Sequence, residues 1–186
     1  MTLRLSEICA ITETMQVCRV FIRSTPERIW EAITQPEFTA RYFHGARIRA
    51  TAGGYVSHGP DGSTWGESAV AEFDPPRRLV HGWRSLYDPE MGQEAESRVT
   101  WKIEPEAGGY SLVTVTHNRL GQAPKTAASV AGRGWMFVLS ASRRCSRPGI
   151  RCLTDRGSAR LAVRRGLSPC RTKTWTAPAA GAIMGS

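Results

Sequence analysis

Apolar and polar residues alternate most regularly over residues 97–103. Val99, Trp101 and Ile103 fall on one side, and Arg98, Thr100 and Lys102 on the other. A period of two predicts an antiparallel strand with one buried face. Ala107-Gly108-Gly109 then turns the chain, and residues 110–117 return as the partner strand of a hairpin. Residues 16–23, with Val17, Cys18, Val20, Phe21 and Ile22, have strand composition. Residues 65–73 predict a further strand that ends at Pro75-Pro76, and residues 78–83 predict another. Gly53-Gly54 and Gly59-Pro60-Asp61-Gly62 punctuate the stretch before them as turns.

The period changes to that of a helix in three places. After Ser24, Thr25 stands as an N-cap and Pro26 fits the first helical position, where a missing N–H costs nothing. Ile29, Trp30 and Ile33 then form one apolar face up to Pro36. A second short helix is expected over 36–43, burying Phe38 and Tyr42 at i, i+4 spacing. A single helix is expected over 127–140 on Val130, Trp135, Val138 and Leu139. The order is strand, two short helices, about six strands and a C-terminal helix. Strands grouped together and helices set apart argue for an α+β fold on an antiparallel sheet.

Charge changes this picture only at the end of the chain. The net charge of +9 resides in residues 141–186, which hold nine arginines, Lys173 and the single acid Asp155. The rest balances at 15 basic and 15 acidic residues, so the basic excess describes a tail and not a nucleic-acid-binding face. Nucleic acid is therefore not an expected partner. No apolar run has membrane-spanning length, and MTLRLSEICAITETM lacks the apolar core and small-residue cleavage site of a secretory signal. A cytoplasmic location and no membrane association are expected. Five cysteines without a CxxC pair specify neither zinc nor a disulfide framework, and are read as thiols of a reducing compartment.

Three stretches carry a resemblance. VFIRSTPERIWEAITQPEFTARYF over 20–43 has a strand, a Thr-Pro-Glu helix start, a Trp and an aromatic pair; Leu112-Val113-Thr114-Val115-Thr116-His117 is a closing strand; Gly134-Trp135-Met136-Phe137-Val138-Leu139-Ser140 opens a helix. In this order they resemble the activator of Hsp90 ATPase homologue-like branch of the START-like (SRPBCC) superfamily. The resemblance implies the helix-grip fold, a curved antiparallel sheet around a C-terminal helix, with an apolar cavity between them. It implies a domain over residues 16–140, preceded by an extension over 1–15 and followed by a basic tail over 141–186. Met15 is an alternative start, since relatives often begin there.

The resemblance stops at Ala141. The family helix continues with wording like GLKTLLETG, whereas this chain reads ASRRCSRPGIRC, and Pro148-Gly149 stops a helix. Codons permitted for residues 141–152, read two nucleotides on, also spell LKTLLETGHSL. The tail is therefore read as out-of-frame translation that truncates the family helix.

No reaction is written in the candidate chemistry. There is no G-x-S-x-G nucleophile elbow, and Gly132-Arg133-Gly134 is too short for a phosphate loop. The carboxylate pairs Glu94/Glu96 and Glu104/Glu106 read as solvated charge at hairpin ends. His44, His58, His81 and His117 are scattered over different elements. No catalytic residue, metal or cofactor is assigned. Trp30, Phe43, Trp65, Trp83, Trp101 and Trp135, with His81 and His117, are the candidate lining of a cavity for an apolar or aromatic ligand. Two alternatives stand beside that reading. One is a cyclase- or hydrolase-type enzyme using His81, His117 and Arg84; the other is a protein-interaction module like the family's chaperone-ATPase activators.

Overall fold

The computed structural model describes residues 8–12, 15–131 and 133–145. They lie within one unit, Met1–Cys152. Nine strands and four α-helices follow in the order β1 (Ile8–Thr12), β2 (Met15–Ile22), α1 (Pro26–Thr34), α2 (Pro36–Tyr42), β3 (Arg47–Thr51), β4 (Gly54–His58), β5 (Thr64–Ser68), β6 (Val70–Asp74), β7 (Arg78–Trp83), β8 (Ser97–Glu106), β9 (Tyr110–Asn118), α3 (Pro124–Val130) and α4 (Arg133–Cys145). A six-stranded antiparallel sheet runs β1-β2-β9-β8-β7-β6, and β3-β4-β5 form a second sheet. Helices set apart from antiparallel strands make this the expected α+β helix-grip architecture.

The β8–β9 hairpin has the register its alternation demands, with Trp101 opposite Val115, Ile103 opposite Val113 and Glu106 opposite Tyr110. Three residues, Ala107-Gly108-Gly109, join the strands, and Gly108 and Gly109 both have positive φ (75° and 76°), a backbone that glycine adopts without steric cost. Strand β2 pairs with β9 on its other edge. On β2 the inward residues Cys18, Val20 and Ile22 continue the apolar face, and β1 adds to the outer edge of β2.

Helix α4 packs on this face with Trp135, Val138 and Leu139 buried and Ser142 one turn further on. That i, i+3, i+4, i+7 spacing puts all four on one side of the helix. Phe137 points elsewhere, half exposed, and stacks on His44 with ring centroids 4.7 Å apart.

Four expectations are corrected. The helix expected over 127–140 is two helices. Ala131 has extended ψ (153°) and ends α3, and Gly134 lets α4 begin against it, since a Cβ there would sit 3.0 Å from the Ser129 carbonyl oxygen. The strand expected over 65–73 is divided at Ala69. Before it, β5 pairs with β4; after it, β6 pairs with β7, so the chain changes sheets. Phe38 is half-buried beneath Arg41, and only Tyr42 is fully enclosed, its hydroxyl donating to Ala32 O at 2.8 Å. Thr25 holds the N-cap position without a side-chain cap hydrogen bond.

Candidate functional site

The antiparallel register sets side chains in rows across the inner face of the large sheet. One row is apolar: Leu79, Trp101, Val115 and Cys18 from β7, β8, β9 and β2. The next row towards the β7–β8 loop is different: His81, Val99, His117 and Gln16. Beyond it lie Trp83 and Ser97, paired with each other. Two histidines thus sit on one side of the sheet within its core, 1% and 0% exposed. Their strands are separated by β8 alone, which is why the two influence each other.

Aromatic rings close over this row. Trp135 of α4 meets Trp101 edge-on at 5.5 Å, Phe43 edge-on at 6.2 Å and Trp83 tilted at 5.7 Å. It also meets His117 edge-on at 5.9 Å. Trp83 lies 5.8 Å from His117 and 6.3 Å from His81. From the second sheet, Tyr55 of β4 stacks flat on His81 at 4.0 Å and 6°. Phe43 and Trp83 are the partly exposed rings of the group, whereas Tyr55, Trp101 and Trp135 are buried.

Hydrogen bonds fix a different tautomer on each histidine. An indole N–H only donates, and the Trp135 Nε1–H reaches His117 Nδ1 at 3.2 Å. His117 Nδ1 is therefore bare and its Nε2 carries the proton, which it donates to Ser97 Oγ at 2.8 Å. Ser97 Oγ in turn donates to the Trp83 carbonyl at 3.1 Å. The chain Trp135–His117–Ser97–Trp83 is satisfied at every link. At His81 the logic reverses. A carbonyl only accepts, so the 2.6 Å contact between Nδ1 and Gly82 O places the proton on Nδ1. Nε2 is then an acceptor, fully enclosed and without a donor.

Burial keeps both rings neutral. It lowers the His81 pKa to about 4, against a smaller opposing pull from the Gly82 carbonyl. It lowers His117 to about 3, with the nearby His81 adding to the effect. Burial likewise raises the Tyr55 phenol well above its usual range, although Ser57 hydrogen-bonds to it and pulls the other way.

Of the eight candidate residues, Phe43, Trp83, Trp101, Trp135, His81 and His117 meet in this cluster. Trp30 is buried on α1 and pairs edge-on with Phe73 at 5.2 Å. Trp65 lies against the turn at Gly59, where any Cβ would clash with its indole, and tilts over Tyr87 at 5.5 Å. Neither makes ring contact with the cluster. Arg84 is exposed and takes no place there. The reading above did not include Tyr55 or Ser97. The signal for Ser97 was present, since the alternation of Val99, Trp101 and Ile103 extends back to it.

Glu94 is not solvated loop charge. Its carboxylate accepts from the N–H groups of Lys125 (2.6 Å) and Thr126 (2.9 Å) and from the Thr126 hydroxyl (2.7 Å), capping α3. Burial pulls this carboxyl up, but those hydrogen bonds outweigh it and hold it below its usual range. The β7–β8 loop is so tied to the start of α3, beside the end of the sheet that holds His81, His117 and Trp83.

The sequence matches the profile of the family described as activator of Hsp90 ATPase homolog 1-like protein over residues 23–141, more than half of the chain. The chain belongs to this family. The match ends at Ala141, and no curated protein matches the sequence. Solved structures agree on the fold. The protein MLL2253 from Mesorhizobium loti superposes with a TM-score of 0.58 at 20% identity, over 70% of this chain and 95% of that one. CalU16 from Micromonospora echinospora gives 0.52 at 19%, over 72% and 76%. DynU16, a protein of the dynemicin biosynthetic locus, gives 0.57 at 22%, over 70% of this chain and 46% of its own length. Among the described residues of this family member, no helix is long and apolar enough to cross a membrane, and no group of three or more His, Cys, Asp or Glu is placed to hold a metal.

Proposed function

We propose that this protein binds an apolar or aromatic small molecule between the inner face of its large sheet and α4. The observation that carries this reading is the cluster of Phe43, Trp83, Trp101 and Trp135, whose rings meet in edge-on and tilted contacts over two neutral, buried histidines. Such a lining is apolar with few, placed polar atoms, which is the usual composition of a small-molecule site. Phe43 and Trp83, the partly exposed rings, form its rim.

The enzymatic alternative gains His81 and His117 in one row but lacks Arg84, which is exposed. His117 has both nitrogens engaged, so His81 is the base that reading would use. The interaction-module alternative would use exposed apolar residues such as Leu86 and Tyr87. The family domain is assigned to residues 16–140, with β1 added at its sheet edge and α4 running on to Cys145, and the location to the cytoplasm.

Native mass spectrometry of the purified full chain tests the ligand reading. The expected result is a noncovalent adduct of a few hundred daltons, reduced when Trp83→Ala opens the rim. A bare protein mass that also fails to take up aromatic compounds added in excess would count against it.

A further inference from the structure

We propose that His81 Nε2 is the recognition point for a hydrogen-bond donor, a hydroxyl or N–H carried on an aromatic ring, of the molecule held in this cluster. The inference rests on the ligand-binding reading and names the ligand's chemistry. Several hydrogen-bonding side chains of the group are engaged with one another or with the backbone. The Trp135 N–H is used by His117, His117 Nε2–H by Ser97, and the Ser97 hydroxyl by the Trp83 carbonyl. The Trp83 N–H is used by Ser85 at 3.1 Å, and Tyr55 has its hydrogen bond with Ser57. His81 Nε2 is an enclosed acceptor that has no donor.

Native proteins leave few enclosed polar atoms unmatched, because such an atom has given up water for nothing. This one is also held ready. The Gly82 carbonyl fixes the proton on Nδ1, and the flat stack on Tyr55 fixes the ring plane. Both constraints aim a bare lone pair without any movement of the imidazole, and burial keeps the ring neutral near pH 7. A protein that needed only an apolar core here would gain from Phe or Leu at 81, which fits the same row with no orphaned acceptor. Trp83, one of the partly exposed rings, lies 6.3 Å from His81 between ring centroids. A ring bearing a donor satisfies Nε2, whereas the same ring with the donor blocked leaves it orphaned.

Equilibrium dialysis of the full chain with 2-naphthol and 2-methoxynaphthalene tests this, using wild type and His81→Phe, which keeps a ring on Tyr55. Wild type is expected to prefer 2-naphthol by about tenfold, the scale of one buried hydrogen bond, and His81→Phe to bind both alike. Equal binding of the two by wild type overturns the role of His81 and leaves the ligand reading intact. A 2-naphthol preference that survives in His81→Phe also overturns it. If neither compound binds and no adduct is found by mass, the ligand reading fails and this inference falls with it. Should His81→Phe not fold, ¹⁵N NMR of wild type decides: the Nε2 resonance is expected to move upfield with 2-naphthol and not with its methyl ether. An unmoved resonance overturns the proposal.

Discussion

Replacing residues 141–151 by LKTLLETGHSL and ending the chain there is expected to raise the thermal midpoint by roughly 10–20 °C. The described face of α4 explains the size. Trp135, Val138 and Leu139 are buried, but the next position on that face is Ser142. The exchange includes Ala141→Leu and Cys145→Leu, at i+3 and i+7 from Val138 and so flanking that face; it also includes Ser142→Lys, where the stem can pack while the ammonium reaches water. Each fully buried leucine contributes about 1.5–3 kcal/mol, against a usual total of about 5–15 kcal/mol. We propose that 141–186 is out-of-frame sequence; the family match ends at Ala141, and the whole net charge of +9 lies in 141–186. Differential scanning calorimetry of the two chains checks the expectation. An unchanged or lowered midpoint would mean that the native helix ends as this sequence writes it, and codons at the locus that cannot encode the alternative peptide would remove the frame argument.

Acidification gives the second large effect. Between pH 7.5 and 5 the protein is expected to lose on the order of 4 kcal/mol, about 2 from each buried histidine. Both folded-state pKa values are depressed, to about 4 and about 3, from the ordinary histidine value of 6.5. The unfolded chain therefore takes up protons first as pH falls. The contribution is fully present above pH 6.5 and drains away down to pH 4 for His81 and pH 3 for His117. The carboxylate that ties the loop to α3, Glu94, is held below its usual range by its hydrogen bonds to Lys125 and Thr126. Urea unfolding at pH 7.5, 6 and 5 measures the slope, and His81→Phe is expected to remove about half of it. A stability that stays flat over this interval would place the histidines in water and contradict the buried row.

Much of this was legible because period and register are local. The alternation through Val99, Trp101 and Ile103 fixed the hairpin, and the hairpin's register fixed which face His117 shares with Trp101. The Thr-Pro-Glu start located α1 for similarly local reasons. Where the reading failed, the decision was tertiary. Residues 64–74 have strand composition throughout, but the choice of partner changes at Ala69 from β4 to β7, and nothing in the composition records a change of sheet. The alanine-rich stretch before Gly132 favours helix, yet α3 ends at Ala131 so that α4 can turn onto the sheet. Among the aromatics, hydrophobicity alone marked Trp30 and Trp65 as readily as Trp83 and Trp101. Which rings converge depends on how the two sheets and α4 meet, and the same packing brings Tyr55, unmarked by composition, onto His81.

The central claim is that the sheet–α4 cluster is where a small molecule binds, and the indole N–H resonances report on it residue by residue. In ¹H–¹⁵N spectra recorded during titration with 2-naphthol, the signals of Trp83, Trp101 and Trp135 are expected to shift together and saturate at one concentration. Those of Trp30 and Trp65, which make no ring contact with the cluster, are expected to hold still. Shifts confined to Trp65, beside the exposed Tyr87, or no shift at any of the three, would contradict the account.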